Sequence, residues 1–280
     1  MKVAVTGASG YIGRHVVDAL IKLGHEVIAV DLISKGINTD AKFKTVDIFC
    51  DDIFEKLERP DVCIHLAWKD GFSHNSDAHM EMLSLHYRFV KNLIDSGVKH
   101  LSIMGSMHEV GYFEGAITDN TPTNPLSMYG IAKNSLREAT QLLINNADVK
   151  FTWLRAFYIL GDDSNNNSIF SKISQMEKEK KETFPFGTGK NKYDFIEVDE
   201  LAKQIALAST QDKINGIINC CSGVPVSLAD KVNEYITKNN YRIKPQYGVF
   251  PERPYDSPAV WGDNSKILTI IDNFNENNKK

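Results

Sequence analysis

Tyr129 and Lys133 stand four residues apart, a spacing that puts both side chains on one face of a helix. A phenol ionises at about pH 10 and alone is a poor proton donor or acceptor at neutral pH. A lysine cation beside it favours the phenolate, and a neighbouring hydroxyl can hydrogen-bond the oxygen on which the proton lands. Ser106 is the candidate hydroxyl, just past a predicted strand at His100–Met104. Such a trio moves a proton on and off a carbinol or carbonyl oxygen. Tyr87 and Lys91 repeat the spacing, so position has to separate the two pairs. Tyr87 lies inside the helix before that strand, facing a neighbouring helix or subunit. Tyr129 lies in the first turns of the helix after it, at the carboxyl edge of the sheet.

Proton transfer at such an oxygen accompanies hydride transfer when a nicotinamide is at hand. Gly7, Gly10 and Gly13 in TGASGYIG follow a predicted strand and open a predicted helix. Glycines there allow a tight turn, close approach of backbone to a pyrophosphate, and close packing of helix on strand. The helix N-terminus then offers N–H groups to the phosphates. Tyr11 and Ile12 inside the turn, and Leu66 and Ala67 at the end of the fourth strand, are expected to line the dinucleotide. Asp31 ends the second strand, VIAVD, where a carboxylate accepts from ribose hydroxyls and repels a 2′-phosphate, favouring NAD(H). Arg14 is within reach of a 2′-phosphate, which keeps NADP(H) as an alternative. Asp47 and Ile48 are expected to frame the adenine.

These groups need a scaffold. Strands are predicted at 3–6, 26–30, 44–46, 61–66, 100–104 and 151–156, alternating with helices at 11–23, 78–96 and 126–145. The alternation implies an α/β fold with a parallel, doubly wound sheet and ligands at the strands' carboxyl ends. Beyond Gly161 the pattern loosens into DDSNNN and into Gly/Pro turns such as FPFGTGK. The expected division is a dinucleotide-binding domain over 1–161 and, over 162–280, mainly a substrate lobe with some segments returning to the core. The run EKEKKE at 177–182 reads as a solvated helix face. A formal charge of −4 without a basic stripe argues against nucleic acid. No apolar run is long enough to span a membrane. Four cysteines without metal or disulfide spacing, and a first strand without signal-peptide features, point to a reduced, cytoplasmic setting. His74, His79 and His86 fit no zinc template, so no metal is expected.

The stretches TGASGYIG, MGSMHEVG, PLSMYGIAK, LRAFYILG and YDFIEVDELA, with the later PERPYDSPAVWGDNSK, resemble successive landmarks of the extended short-chain dehydrogenase/reductases, the sugar-nucleotide epimerase/dehydratase/reductase group. The resemblance implies a Rossmann-type doubly wound sheet with a smaller C-terminal substrate lobe. It implies Tyr129 as proton donor or acceptor, Lys133 on the nicotinamide ribose, and a Ser/Thr after the fifth strand. Alignment on Gly111 puts Ser106 in that slot. Alignment on Val110 would put Met107 there, and Ser102 is the fallback. The family's dehydratases carry an acidic pair directly after the Ser/Thr. Here Met107 and His108 occupy those places, which counts against dehydration, although Glu109 one place further on could compensate if the loop shifts. His108 is a candidate proton donor.

Two reactions stay open. One is reduction by NAD(P)H of a nucleotide-linked 4-keto-6-deoxy sugar, such as dTDP-4-keto-6-deoxyglucose, to a 6-deoxyhexose for surface polysaccharide. The other is 4-epimerisation with retained NAD; outside enzymes, the alternative is a dinucleotide-sensing regulator. For the substrate, the resemblance implies that Arg253 grips the diphosphate. Lys190, Trp68, Met107, His108 and Tyr158 are further candidate contacts, with Lys69, Phe186 and Tyr193 nearby. Tyr158 replaces the amide of the family's Arg-x-Phe-Asn, and Tyr193 replaces the arginine of its Arg-Asp-Phe. A homodimer through the helices at 78–96 and 126–145 is expected by the same resemblance.

Overall fold

Val3, Ala4, Val5 and Thr6 are all fully buried, as a strand covered on both faces requires. In the computed structural model, which describes residues 1–162, 168–251 and 256–278, this run is β1 (Lys2–Thr6). There follow α1 (Gly13–Lys22), β2 (Glu26–Asp31), β3 (Lys42–Thr45), α2 (Ile53–Lys56) and β4 (Val62–His65). Next come α3 (Ala78–Glu81), α4 (Leu83–Asp95), β5 (His100–Ser106), a 3₁₀ turn (Met107–Glu109), β6 (Gly115–Ile117), α5 (Met128–Ile144), β7 (Lys150–Ala156) and β8 (Tyr158–Leu160). The second half holds α6 (Ile169–Lys178), β9 (Thr183–Pro185), β10 (Lys192–Glu197), α7 (Val198–Thr210), β11 (Gly216–Cys220), β12 (Pro225–Ser227), α8 (Leu228–Lys238), β13 (Lys244–Gln246), β14 (Ala259–Gly262) and α9 (Ser265–Asn277).

Seven strands form one parallel sheet in the order β11-β7-β5-β4-β1-β2-β3. Side chains alternate between two apolar layers. Val3 and Val5 pack with α1, α7 and α9 through Val17, Leu20, Leu201, Ile205 and Ile267. Ala4 packs on the opposite face with α2, α4 and α5 through Ile53, Phe89, Leu93 and Leu136. Strand order reverses between β1 and β4, and the crevice opened by that reversal at the carboxyl ends is where a ligand binds in such a sheet. A second sheet, β12-β10-β14-β6 with β8 beside β10, carries the remaining apolar cluster of aromatic side chains.

Three features depart from the sequence expectations. The helix expected over 78–96 is broken at Met82, whose carbonyl accepts from Leu85 N–H three residues on, tightening one turn. β11, which the sequence pattern did not mark as a strand, is one of the segments expected to return to the core and adds a seventh strand to the large sheet. Its five residues, GIINC, lack any local sign of which sheet they join. The acidic-basic run 177–182 is not simply solvated, because Glu177 accepts from the backbone N–H groups of Arg242 and Ile243 and ties α6 to the segment before β13.

Asp194 fastens the smaller sheet. Its fully buried carboxylate accepts from Ser222 N–H and Oγ–H at 2.8 and 2.7 Å, from Gly223 N–H at 2.8 Å and from Gly262 N–H at 3.1 Å. Removing it strands several donors inside the protein. Asp194→Ala is expected to destabilise by about 3–5 kcal/mol, read from urea unfolding midpoints with an unchanged m-value.

Candidate active site

The glycine turn leaves no room for side chains. Gly7 has φ +70°, and a Cβ there would lie 2.6 Å from Ala67 N. A Cβ on Gly13 would lie 2.0 Å from the Gly7 carbonyl oxygen. These contacts press α1 onto the turn and bring β1 against the end of β4, leaving backbone N–H groups at the helix start for an anionic group. Asp31 reaches back to the turn: Ser9 N–H and Oγ–H donate to its Oδ2 at 3.0 and 2.6 Å, and Leu32 N–H donates to Oδ1 at 2.7 Å. A cavity of about 730 Å³ runs from this turn past Asp31, Asp47 and Ile48 to Leu66, Ala67, Trp68, Tyr129 and Lys133, with Gly10, Tyr11 and Ile12 also in its wall. A glycine cradle, a ribose-facing carboxylate and a long cleft fit a dinucleotide. Arg14, the side chain that kept NADP(H) open, is ion-paired with Asp162.

At the far end of the cavity, the strand and helix meet closely. Ser106 is the last residue of β5, rather than lying beyond it as expected, and it caps the 3₁₀ turn. Ser127 caps α5 by accepting from Gly130 N–H at 3.1 Å. A Cβ on Gly130 would lie 2.3 Å from His108 O, so glycine there lets α5 sit against the turn. Tyr129 N–H donates to His74 O at 2.9 Å, anchoring the first helical turn to the loop after β4.

The geometry brings Ser106, Tyr129 and Lys133 together. Ser106 stands close enough to the Tyr129 phenol to favour its ionised form, while burial, the largest influence, and the Glu109 charge push its pKa upward more strongly. Lys133 Nζ donates to Met104 O at 2.8 Å and lies 3.7 Å over the Trp68 ring. Burial brings its pKa down to about 7, against an opposing pull from Glu109. Of the other residues considered for that slot, Ser102 is fully buried inside β5, and Met107, which has no hydroxyl, packs into the apolar cluster of the smaller sheet rather than lining the cavity. Tyr87 packs in the core, and Lys91 is ion-paired with Asp95 on the surface.

Glu109 does not stand in for an acidic pair. It is fully buried and points away from the cavity, accepting from Ser106 N–H at 2.6 Å and from Trp153 Nε1–H at 2.8 Å, with Arg155 Nη2 3.5 Å away. His108 does face Tyr129, with ring centroids 6.0 Å apart, and it packs on His74 at 4.1 Å. His74 in turn stacks on the Tyr129 ring at 5.3 Å. Burial lowers the His108 pKa to about 4, so its imidazole is neutral at pH 7.

Sequence reasoning missed the aromatic wall behind Lys133. Trp68 stacks on His86 at 4.3 Å and donates Nε1–H to His79 Nδ1 at 3.0 Å. His86 pairs with His65 at 2.9 Å, and His65 pairs with Thr6 at 2.7 Å. The spacing of these histidines carried no sign of this arrangement, which is assembled from β1, β4, α3 and α4. Among the described residues no group of His, Cys, Asp or Glu side chains is placed to hold a metal.

On the substrate side, Tyr158 packs against Tyr193 with centroids 4.3 Å apart. Two aromatic rings thus meet where the resemblance would put an amide and an arginine. Phe186 is buried beside Phe184 and Tyr247, while Lys190 is exposed in the turn before β10. Lys69 lies in the cavity wall. Arg253 lies outside the described residues.

Similar proteins bear on this arrangement. Over 271 residues the chain is 43% identical to a dTDP-6-deoxy-L-talose 4-dehydrogenase (NAD(+)) of Aggregatibacter actinomycetemcomitans, covering 94% of this chain and 99% of that protein. The fold matches that of a Thermotoga maritima UDP-glucose 4-epimerase solved with UDP-glucose, at TM-score 0.80, 24% identity and coverage of 96% of this chain and 92% of that one. It also matches a Bacillus cereus UDP-glucuronic acid 4-epimerase in complex with UDP-glucuronic acid and NAD, at TM-score 0.81, 23% identity and coverage of 97% and 93%. Residues 3–221, from β1 through the cavity-lining elements to the loop after β11, match the model of the NAD dependent epimerase/dehydratase family, and the chain belongs to that family.

Proposed function

We propose that this chain is an NAD(H)-linked oxidoreductase acting at C4 of a dTDP-linked 6-deoxyhexose, interconverting the 4-hydroxyl and 4-keto forms. One observation carries the reading. Tyr129 and Lys133 line the end of a dinucleotide-shaped cavity with Ser106 beside the phenol, while Glu109 is turned into the core. Proton transfer at a carbinol oxygen is then supported, and elimination of water is not. The choice of sugar and nucleotide rests on the relative with 43% identity along nearly its full length.

Bound NAD supplies the hydride acceptor or donor for C4. The residues of the chain handle everything else. Tyr129 takes the proton from the C4 hydroxyl during oxidation and returns it to the carbonyl oxygen during reduction. Ser106 holds that same oxygen. Lys133 carries positive charge to the phenol edge and hydrogen-bonds the nicotinamide ribose. The rings of His74 and His108 flank the tyrosine. Tyr158, Lys190 and Arg253 are proposed contacts for the sugar nucleotide. Pairing of two copies through α4 and α5, and service to surface polysaccharide synthesis, belong to the same proposal.

The test is spectrophotometric. Purified protein given NAD(+) and dTDP-6-deoxy-L-talose is expected to generate NADH, and the reverse assay, with dTDP-linked 4-keto-6-deoxyhexoses, to consume it. A protein that retains NAD through purification and interconverts 4-epimers with no net change in NADH would overturn the reading in favour of an epimerase, the activity named for the Thermotoga and Bacillus neighbours.

A further inference from the structure

Glu109 is the most heavily engaged polar residue near the cavity, yet it has no place in the proton transfer just described. Its carboxylate is fully buried in the turn directly after β5. Oε1 accepts from Ser106 N–H at 2.6 Å, which completes a reciprocal cap, since Ser106 Oγ accepts from the N–H of His108 at 3.3 Å. Trp153 Nε1–H is shared by both carboxylate oxygens at 2.8 and 2.9 Å. Arg155 Nη2 and Arg137 Nε lie 3.5 and 3.7 Å from Oε2. The pocket is built around this group. A Cβ on Gly105 would lie 2.1 Å from Trp153 Nε1 and 2.7 Å from Glu109 Oε1.

A buried anion bonded to the backbone of Ser106 fixes where that hydroxyl stands. It also projects negative charge onto Lys133 and Tyr129, raising the proton affinity of both. The other titratable groups that face these two are imidazoles. His65 from β4 and His86 from α4 face Lys133, and burial lowers both well out of the neutral range, to about 3 for His86. His74 from the loop after β4, His79 from α3 and His108 surround Tyr129. Both ring nitrogens of His79 are engaged, with Trp68 and with the Ser73 carbonyl. Burial lowers the pKa of His74 and His108 as well. Arg137 and Arg155 face Glu109 itself and oppose its field.

We propose that Glu109 is a positioning residue for the C4 reaction, seating Ser106 through its backbone N–H and setting a buried negative charge beside the proton-transfer groups. It rests on the oxidoreductase reading for its consequence in turnover, but not for its electrostatics.

The experiment is a pH titration of the Lys133 13Cε resonance in the full-length protein with labelled lysine, the signal assigned by its loss in Lys133→Met. It needs no substrate, so failure of the sugar assignment leaves it intact. Glu109→Gln keeps an oxygen for Ser106 N–H and removes the charge, and is expected to lower the Lys133 midpoint. Arg137→Gln removes a cation that offsets Glu109 and is expected to raise it. With a turned-over substrate, the kcat/KM profile moves in the same two directions. Opposite shifts are a signature that a purely structural role does not produce. An unchanged midpoint in a folded Glu109→Gln protein overturns the proposal. If that variant does not fold, Glu109→Met, which removes the charge without leaving an amide beside Trp153 and the two arginines, is read in its place: a fall in the Lys133 midpoint supports the proposal, and a rise or no change overturns it.

Discussion

Tyr129→Phe is expected to lower kcat by about 10²–10⁴-fold, the usual scale for loss of a positioned acid–base group, while leaving dinucleotide affinity within about threefold. The phenol is the group that meets three conditions at once. It sits in the wall of the dinucleotide cavity, it stands beside Ser106, and it shares a helix face with Lys133. Phenylalanine keeps the ring, so the stacking with His74 and the packing of α5 on the 3₁₀ turn survive. Backbone anchoring survives too, because Tyr129 bonds the His74 carbonyl through its N–H and not its side chain. Pre-steady-state and steady-state NADH formation, with NADH binding followed by fluorescence, check both halves. A variant with near wild-type kcat would show that the proton moves through another group, and His108, across from the phenol, would then be the first to examine.

The complementary result is expected from Gly13→Ala. A single methyl there would lie 2.0 Å from the Gly7 carbonyl and 2.9 Å from Ala8 Cα. Both are backbone atoms of the turn, so α1 has to move off β1 or the turn has to open. Either displacement takes the helix N-terminal N–H groups away from the pyrophosphate position. Dinucleotide affinity is expected to fall about a hundredfold, equivalent to about 2.7 kcal/mol, with a lower melting temperature because the same contact joins β1 and α1 in the core. Isothermal titration with NAD(+) and NADH measures the first, and thermal unfolding the second. Tyr129→Phe loses chemistry and keeps binding, whereas Gly13→Ala loses binding. The pair therefore separates the two ends of the cavity.

Trp68 shows why part of the site could not be read beforehand. Its sequence neighbours suggested only a pocket-lining or packing ring. Its actual role in the structure, with the Lys133 ammonium 3.7 Å over its ring and His86 stacked at 4.3 Å, depends on α5, α4 and β4 arriving at one place. Glu109 is a sharper case. In the linear chain it is an acid near a candidate catalytic serine, and acids there invite a catalytic reading. Its burial among Trp153, Arg155 and Arg137 turns it into a support for Ser106 instead.

What the sequence determined by itself was everything governed by short-range geometry. Gly7, Gly10 and Gly13 mark a strand-to-helix turn because only glycine tolerates such close backbone approach. Asp31 falls at a strand end, and the i, i+4 relation of Tyr129 and Lys133 follows from 3.6 residues per helical turn. Alternating apolar runs likewise dictated a parallel sheet with helices on both faces. Tertiary structure alone decided which hydroxyl meets the phenol, which way Glu109 points, and that β11 joins the large sheet. Those outcomes depend on contacts such as Glu109 with Trp153, 44 residues apart, and Lys133 with Met104, 29 apart. No local period encodes such pairs; they are selected by packing of layers whose members are distant in the chain.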